Sequence, residues 1–273
     1  MVKVGWLSSR GLQVGSAVLM GLMIAAVLVP PLSPYVYSEI DLQSIKQPPS
    51  HRHWMGTDEL GRDLGTRLMV GARISLLIGL AGALTATLIG ASVGALAGYY
   101  GKWTDAIAMR VVDLLLAVPI LPVLIVISAF TRPSVAALVL LVATFAWMPT
   151  ARLVRGVFLS LKEQEFAEAA RALGASDGRV VLRHLLPNAV APISVASALL
   201  VGRVIVMESV LSFLGLGVQP PMPSWGNLLY GAQNYLATEP WLATFPGMLL
   251  LFAVLGVNLV GDGLREAFRA TES

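Results

Sequence analysis

The stretch EQEFAEAARALGASDGRVVLRHLLPN, residues 163–188, is the longest charged interruption in the apolar second half of the chain. Small and apolar side chains recur in it at the i, i+3, i+4 and i+7 spacing of one helix face: Phe166, Ala169, Ala170 and Leu173. Gly174 is suited to the left-handed conformation that ends such a helix. Ser176 and Asp177 suit the first turn of a second helix, and Pro187 is expected to follow its end. The stretch therefore predicts two short helices joined at a glycine.

The composition around this stretch indicates a membrane protein. Hydrophobic residues make up 56% of the 273 positions and charged residues 13%, with a mean hydropathy of +0.75. A soluble domain would carry roughly 25% charged residues. The length leaves room for about six spans and little else. The chain has no cysteine, so neither a disulfide nor a thiolate metal site is expected.

The apolar runs predict an all-α integral membrane protein with a single transmembrane domain over residues 1–273. Lys3 and Arg10 precede a first span at about 11–32, which is too long for the apolar region of a signal peptide. A polar segment at 33–71 cannot cross a bilayer and is expected outside. A five-span core at 72–269 follows, with the charged loop at 159–188. Its spans are predicted at 72–99, 106–128, 135–157, 189–213 and 241–260.

The positive charges predict the orientation of these spans. With both termini inside, twelve Lys and Arg residues fall at the inner side and six at the outer side, and Arg203 is left within the fifth span. This excess follows the positive-inside rule, which also accounts for the net charge of +3 without a nucleic-acid partner. The inside is expected to be the cytoplasm of a bacterial or archaeal cell, and residues 131–134 are expected to form an outer turn.

Prolines and glycines predict local features of the spans. Pro119 and Pro122 are expected to kink the third span. Gly90, Gly94 and Gly98 stand four residues apart, so they lie on one helix face and allow another backbone to approach closely. Charged residues near the inner end of the third span, Arg110 and Asp113, are expected to neutralise each other or to bind neighbouring helices.

The charged loop resembles the EAA loop of ABC-importer permeases. The resemblance is carried by Glu168-Ala169-Ala170, by Gly174 four residues later, and by His184-Leu185-Leu186-Pro187 after nine more. The general family pattern has Ile at the position of His184. The branch that imports peptides and nickel often has His-Ile-Leu-Pro-Asn there, from which the chain differs only at Leu185.

Three other segments resemble the same branch. They are GTDELGRD at 56–63, LSFLGLG at 211–217 followed by a Pro-rich stretch with Trp225-Gly226, and NLVGDGLR at 258–265. The motifs occur in the family's order and extend the resemblance from about residue 30 to residue 269. The match is to the second, C-type permease subunit of dipeptide, oligopeptide and nickel importers.

The resemblance implies the type I ABC importer permease fold and a set of partners. They are a homologous second permease, two cytoplasmic ATPases, an extracytoplasmic substrate-binding protein and the lipid bilayer. The chain itself would bind no cofactor, and the ATP would be used by the partner subunits. The residues expected to dock an ATPase are Phe166, Glu168, Ala169, Ala170, Leu173, Gly174, Leu186 and Pro187.

Two further groups of charged residues carry hypotheses with open alternatives. One group is Asp58, Arg62 and Asp63. These residues either order the outer segment into a docking surface or only stabilise the segment by ion pairs. Arg203 either pairs with a neighbouring span or lines the transport route, where it would attract an anionic group such as a peptide carboxylate. A direct pair with Glu208 is disfavoured, because five residues turn the helix by about 140°.

The sequence disfavours other function classes. His51 and His53 lack a third ligand and are expected to be solvated, so no metal site is predicted. No nucleophile elbow, HExxH helix or phosphate-binding loop is present, so neither catalysis nor ATP hydrolysis by this chain is expected. A stand-alone channel or secondary transporter would require a charged network at the membrane midplane and no docking helix. The substrate is predicted to be a peptide, with a nickel chelate or another small solute as the alternative.

Overall fold

The computed structural model of the chain describes residues 9–130 and 134–272, with side chains as far as residue 269. Lys3 and most of the predicted turn at 131–134 lie outside the described residues. The described helices are α1 (Arg10–Leu32), α2 (Leu64–Tyr100), α3 (Lys102–Ala117), α4 (Ile120–Phe130), α5 (Val135–Ala146), α6 (Met148–Leu161), α7 (Glu165–Ala172), α8 (Asp177–Arg179), a π-helical segment (Val180–Leu185), α9 (Leu186–Phe213), α10 (Trp225–Ala232) and α11 (Trp241–Glu272), with a 3-10 turn at Gln233–Tyr235.

The long helices have the length and composition of membrane spans. Four helices pass this test alone: α1, α2, the continuous helix Asp177–Phe213 and the Trp241–Arg269 part of α11. The bent pairs α3 with α4 and α5 with α6 raise the number to six if each pair is one span. The predicted all-α membrane fold is therefore confirmed.

Helix α2 is the centre of the bundle, where it packs against α1, α5, α6 and α9. Its three glycines share one face, as predicted, and that face packs against α6. A Cβ atom at Gly90 would lie 2.5 Å from the carbonyl oxygen of Trp147, and one at Gly98 would lie 2.7 Å from Phe158 Cβ. A Cβ atom at Gly94 would overlap the carbonyl oxygen of Ala151. The missing side chains thus let the two backbones touch over two helical turns.

The bundle has two ends that carry different polar segments. The α7 end holds α7, the start of α1 and the end of α11, since the backbone of Gly263 packs against Leu12. The opposite end holds the segment 33–63 and α10.

The sequence predicted that the second span begins near residue 72, whereas α2 begins at Leu64. Asp63 explains the earlier start, because its carboxylate caps the helix by accepting from the Thr66 N–H at 2.7 Å.

Prolines break two of the predicted spans. The third span turns by 80° between α3 and α4, so the predicted kink is a break. Val118 precedes Pro119 and is extended, with φ −89° and ψ 130°, because the proline ring disfavours the helical conformation there. The fourth span, for which no kink was predicted, turns by 47° between α5 and α6, where Pro149 lies in the first turn of α6.

The helix after Gly174 is longer than predicted. Pro187 was expected to follow its end, but α8, the π-helical segment and α9 form one helix from Asp177 to Phe213. Pro187 lacks an N–H group, and its ring would clash with the carbonyl of residue 183 in a regular α-helix. The wider π-helical turns lie directly before it, so the chain passes the proline without ending the helix.

Candidate docking loop

Helix α7 ends at a glycine in the left-handed conformation, as predicted. Gly174 has φ +81°, and its N–H donates to the carbonyl of Arg171 at 2.9 Å. The Ala175 N–H donates to the carbonyl of Ala170 at 3.0 Å. These two hydrogen bonds form a Schellman cap, which satisfies the last carbonyls of α7 and turns the chain toward α8.

One face of α7 is buried against the bundle by small side chains. Ala167 and Ala170 are buried, and the helix lies close to the ends of α2, α6 and α9 because alanine leaves little distance between backbones. The other buried residues of this cluster are Ala95, Val154, Phe158, Val180, Leu185 and Ala189. The position of α7 is therefore fixed by apolar packing, with the π-helical segment as its main neighbour and residues of α2, α6 and α9 in the same cluster.

A second face of α7 is exposed although it carries apolar side chains. Leu173 is 88% exposed and Phe166 is 38% exposed. Their neighbours Glu168 and Ala169 are also exposed. We call these four residues the docking face. With three charged residues in its eight positions, α7 is too polar for the bilayer core, so lipid does not account for the exposed leucine.

Polar contacts tie the loop to the bundle. The Tyr99 hydroxyl, near the end of α2, donates to the Asp177 carboxylate at 2.7 Å. The Arg171 guanidinium donates to the carbonyl of Lys162 at 2.7 Å and closes the turn between α6 and α7. Glu165 and Glu168 lie in the first turn of α7 and Arg171 in its last, which suits the helix dipole. The loop is therefore held as one unit with α2, α6 and α9.

The residues predicted to dock an ATPase divide between the two faces. Phe166, Glu168, Ala169, Leu173, Gly174 and Pro187 are exposed, whereas Ala170 is buried and Leu186 is half-buried within the supporting cluster. The periodicity had grouped Ala170 with the exposed residues, because an apolar stripe does not reveal which part of it contacts the bundle. Sequence reasoning did not single out Leu182, which is 66% exposed on the π-helical segment.

The three predicted residues of the outer segment are buried at the opposite end. The Arg62 Nε donates to the Asp58 carboxylate at 2.7 Å, and the Arg67 Nε lies 3.2 Å from the same oxygen. The Asp58 carboxylate also accepts the N–H groups of Leu60 and Arg62. Asp58, Arg62 and Asp63 are between 3% and 8% exposed, so they shape the segment from within.

The expectation of solvated histidines is wrong for His53. Its ring is buried, its Nδ1 lies 2.9 Å from the Asp63 carboxylate, and it stacks at a tilt against Tyr35. The alternating charges had indicated an ordered segment, but they did not indicate that a histidine would join it. Among the described residues, no three His, Asp or Glu side chains are grouped to hold a metal ion.

The two charged residues of α9 lie in different surroundings. Arg203 is exposed and lines a cavity between α6, α9 and α11. Glu208 is fully buried, and its carboxylate accepts from the hydroxyls of Ser75 at 3.0 Å and Ser212 at 2.6 Å. The two residues do not pair, in agreement with their spacing.

Ion pairs between helices stabilise the α7 end. Asp105 of α3 binds Arg155 of α6 through two nitrogen–oxygen contacts, the longer at 2.6 Å. Asp113 lies 2.5 Å from Arg152, also of α6. Of the two alternatives for Asp113, the structure therefore supports a bond to a neighbouring helix rather than to Arg110.

Comparison with known proteins identifies the family. A sequence profile described as "Binding-protein-dependent transport system inner membrane component" matches residues 86–271. The chain is 40% identical to the dipeptide transport system permease protein DppC of Alkalihalophilus pseudofirmus over 93% of this chain and 84% of that protein. It is 41% identical to the oligopeptide transport system permease protein OppC of Mycobacterium bovis over 96% of this chain and 91% of that protein.

A solved structure shows the same fold. An inward-facing MetNI methionine ABC transporter chain matches 75% of this chain and 96% of its own length, with a TM-score of 0.59 and 22% identity. This confirms the predicted type I importer permease fold. The chain is a multi-pass transport permease. It belongs to the family of binding-protein-dependent transport system inner membrane components.

Proposed function

We propose that this chain is the permease subunit of an ATP-driven importer of dipeptides or oligopeptides. The observation that carries the proposal is the similarity, over at least 93% of the chain, to relatives named dipeptide and oligopeptide permeases. The substrate in this proposal is taken from those names, since substrate selection would begin on a separate binding protein.

The proposal includes the partners and the orientation of the chain. A second permease completes the pore, two ATPases bind on the cytoplasmic side, and a binding protein delivers the peptide on the other side. The α7 end faces the cytoplasm. Support for this orientation comes from the Lys and Arg residues, most of which lie at that end.

The docking face supplies the contact with one ATPase. Leu173 and Phe166 would enter an apolar groove on that subunit, and the charged residues around them would bind its rim. Exposed apolar side chains inside a polar rim are typical of protein interaction sites. The fixed position of α7 against α2, α6 and α9 supports this role, because a surface that transmits force must be rigidly attached.

Coupling would act through the continuous helix from Asp177 to Phe213. The helix joins the docking loop directly to α9, and at 37 residues it extends about 55 Å. Closure of the ATPase pair would displace α7 and α8, and the helix would carry this displacement toward the opposite end. The pore would thereby alternate between outward and inward access.

The outer segment is proposed to receive the binding protein. Asp58, Arg62 and Asp63 would act by ordering the segment, since their own side chains are buried. The exposed side chains of the same segment, such as Trp54 at 81% exposure, would make the contacts.

Reconstitution of the complete importer tests the proposal. The chain is purified with the second permease, both ATPases and the binding protein, and the complex is placed in vesicles. We expect ATP-dependent accumulation of a labelled dipeptide, which a non-hydrolysable ATP analogue abolishes. If the vesicles accumulate a nickel chelate but no peptide, the substrate is the chelate and not a peptide. Transport without the ATPase subunits would contradict the importer class.

A further inference from the structure

The cavity beside α9 carries three arginines without an acidic partner in its lining. It has a volume of about 450 Å³ and lies between α6, α9 and α11. Arg203, Arg265 and Arg269 line it together with small and apolar side chains and Thr150. A volume of this size is typical of pockets that hold small ligands.

The charge balance distinguishes this cavity from the cavity at the opposite end. That second cavity contains Arg62 and Arg67, but Asp58 and Glu59 line it as well. The lining of the α9 cavity includes no Asp or Glu among its described residues. Arg203 and Arg269 form no side-chain ion pair within the described residues, and Arg265 has only a 3.8 Å contact with the exposed Asp262. The α9 cavity therefore presents an uncompensated positive field.

The arginines lie at different depths. A Cβ atom at Gly202 would lie 3.5 Å from Val257 Cγ1 of α11, which places Arg203 level with that part of α11. Arg265 lies about two helical turns further toward the α7 end, or about 12 Å along the axis, and Arg269 lies one turn beyond it. The guanidinium groups thus form a series that leads from the middle of the bundle to the α7 end.

The depth of Arg203 decides between two anionic ligands. Lipid headgroups bind basic pockets near the membrane surface. A lipid held there by Arg265 and Arg269 would place its acyl chain beside Arg203, and a charge facing hydrocarbon at that depth is costly. An aqueous cavity that a solute enters leaves all three guanidinium groups hydrated or bound to the solute.

We propose that Arg203, Arg265 and Arg269 form a path for the free carboxylate of the transported peptide through the inner half of the permease. The apolar lining accommodates side chains of the peptide, while each guanidinium in turn donates hydrogen bonds to the carboxylate. Hydrogen bonds from arginine to a carboxylate are short and directional, and three successive sites allow the carboxylate to pass from one to the next. This inference rests on the proposed peptide import, which it deepens by assigning the chemical group that the permease recognises.

The test compares two forms of one peptide in the reconstituted importer. One form has a free terminal carboxylate and the other a terminal amide, and each is supplied on a saturated binding protein. We expect Arg203→Gln to slow import of the free acid by about tenfold or more, as for loss of one charge-assisted hydrogen bond, and to change import of the amide by less than about twofold. Arg110→Gln, an exposed arginine outside the cavity, should change neither rate.

Arg265→Gln and Arg203→Lys provide independent variants if Arg203→Gln does not assemble. Arg265 is exposed near the α7 end of the cavity, so its replacement should leave assembly intact. It should also slow import of the free acid more than import of the amide. Arg203→Lys keeps the charge and should retain the preference for the acid. An equal loss for both peptide forms, or no loss for either, overturns the path.

Vesicles of different lipid composition distinguish the carboxylate path from a cavity that binds a lipid. The path predicts the same acid preference in purely zwitterionic vesicles and in vesicles with anionic lipid. If the wild-type complex requires anionic lipid and the arginine variants remove that requirement for both peptides, the cavity holds a lipid and the proposal is wrong. Failure of the wild-type complex to import either peptide would instead contradict the proposed function.

Discussion

The two polar segments at the ends of the bundle differ in which side chains they bury and which they expose. The outer segment buries its charges: Asp58 is 3% exposed and Arg62 is 8% exposed. The docking loop exposes its apolar side chains, and Leu173 is 88% exposed. The charges of a buried ion pair find their partners within the chain. An exposed leucine on a polar helix loses its contact with water only when another surface covers it. The outer segment therefore satisfies its charges within the chain, whereas the docking loop is proposed to bury its apolar side chains on a partner.

The largest effect on stability is expected at Asp58. Asp58→Asn removes the charge that faces Arg62 and Arg67, and it leaves the buried Arg67 without a counter-ion and Arg62 with only its longer contact to Glu59. Breaking such a buried pair costs about 3–5 kcal/mol. We expect a lower midpoint of thermal unfolding for the purified permease in detergent and less protein in the membrane.

Glu59→Gln is the matched control for Asp58→Asn. Glu59 is a neighbouring carboxylate with a more exposed side chain, and its contact with Arg62 is longer, at 3.3 Å. Its replacement should lower stability by less than about 1 kcal/mol. Equal effects of the two variants would show that burial of Asp58 does not stabilise the outer segment.

The next effect is expected at the glycine that ends α7. Gly174→Val imposes a β-branched side chain on φ +81°, which costs about 1–3 kcal/mol. No heavy atom lies within 4 Å of the added Cβ position, so the cost comes from the backbone alone. We expect normal insertion with reduced substrate-stimulated ATPase activity and reduced uptake.

Gly178→Val separates backbone strain from added bulk. Gly178 lies in α8, also has open space around its Cβ position, and does not have a positive φ. This variant should keep its ATPase activity and uptake. Normal uptake by Gly174→Val at equal expression would remove the coupling role of the cap.

A smaller effect is expected from the hydrogen bond between α2 and the loop. Tyr99→Phe removes the hydroxyl that donates to Asp177, at a cost of about 0.5–1.5 kcal/mol. Amide hydrogen exchange of residues 174–180 should become faster, while exchange in α2 should stay unchanged. Tyr100→Phe is the control, because Tyr100 is half-exposed and its hydroxyl forms no hydrogen bond with a described residue. Equal rates of amide hydrogen exchange in the two variants would show that the Tyr99–Asp177 hydrogen bond does not hold the loop.

The sequence predicted features that depend on one residue type in one place. Gly174 and the three glycines of α2 were predicted correctly, because positive φ and close backbone contact both require glycine. Helix ends near capping or proline residues were less predictable. The start of α2 at Leu64 depends on the Asp63 cap, and the helix through Pro187 depends on a π-helical segment that no propensity indicates.

Burial within the polar segments could not be predicted from the sequence. The charges of Asp58 and Arg62 and the ring of His53 are buried by contacts between residues that are separated in the chain. Likewise, the helical period of α7 predicted an apolar stripe but not its division into a buried edge at Ala170 and an exposed edge at Leu173. That division depends on where α2, α6 and α9 end.

The smallest effect on stability is expected at Leu173, where the largest effect on docking is expected. Leu173→Cys changes an exposed side chain and should alter stability by no more than about 0.5 kcal/mol. Because the natural chain has no cysteine, a maleimide reagent would label this position alone. Glu266→Cys, an exposed position near the end of α11, is the control at the same end of the bundle.

Labelling of Leu173→Cys with and without the ATPase subunits tests the docking face most directly. In the isolated permease the thiol should react rapidly, because its position is exposed. In the complete complex we expect strong protection at Leu173→Cys and unchanged labelling at Glu266→Cys. Equally fast labelling of Leu173→Cys in a complex that hydrolyses ATP would show that the ATPase does not cover the docking face.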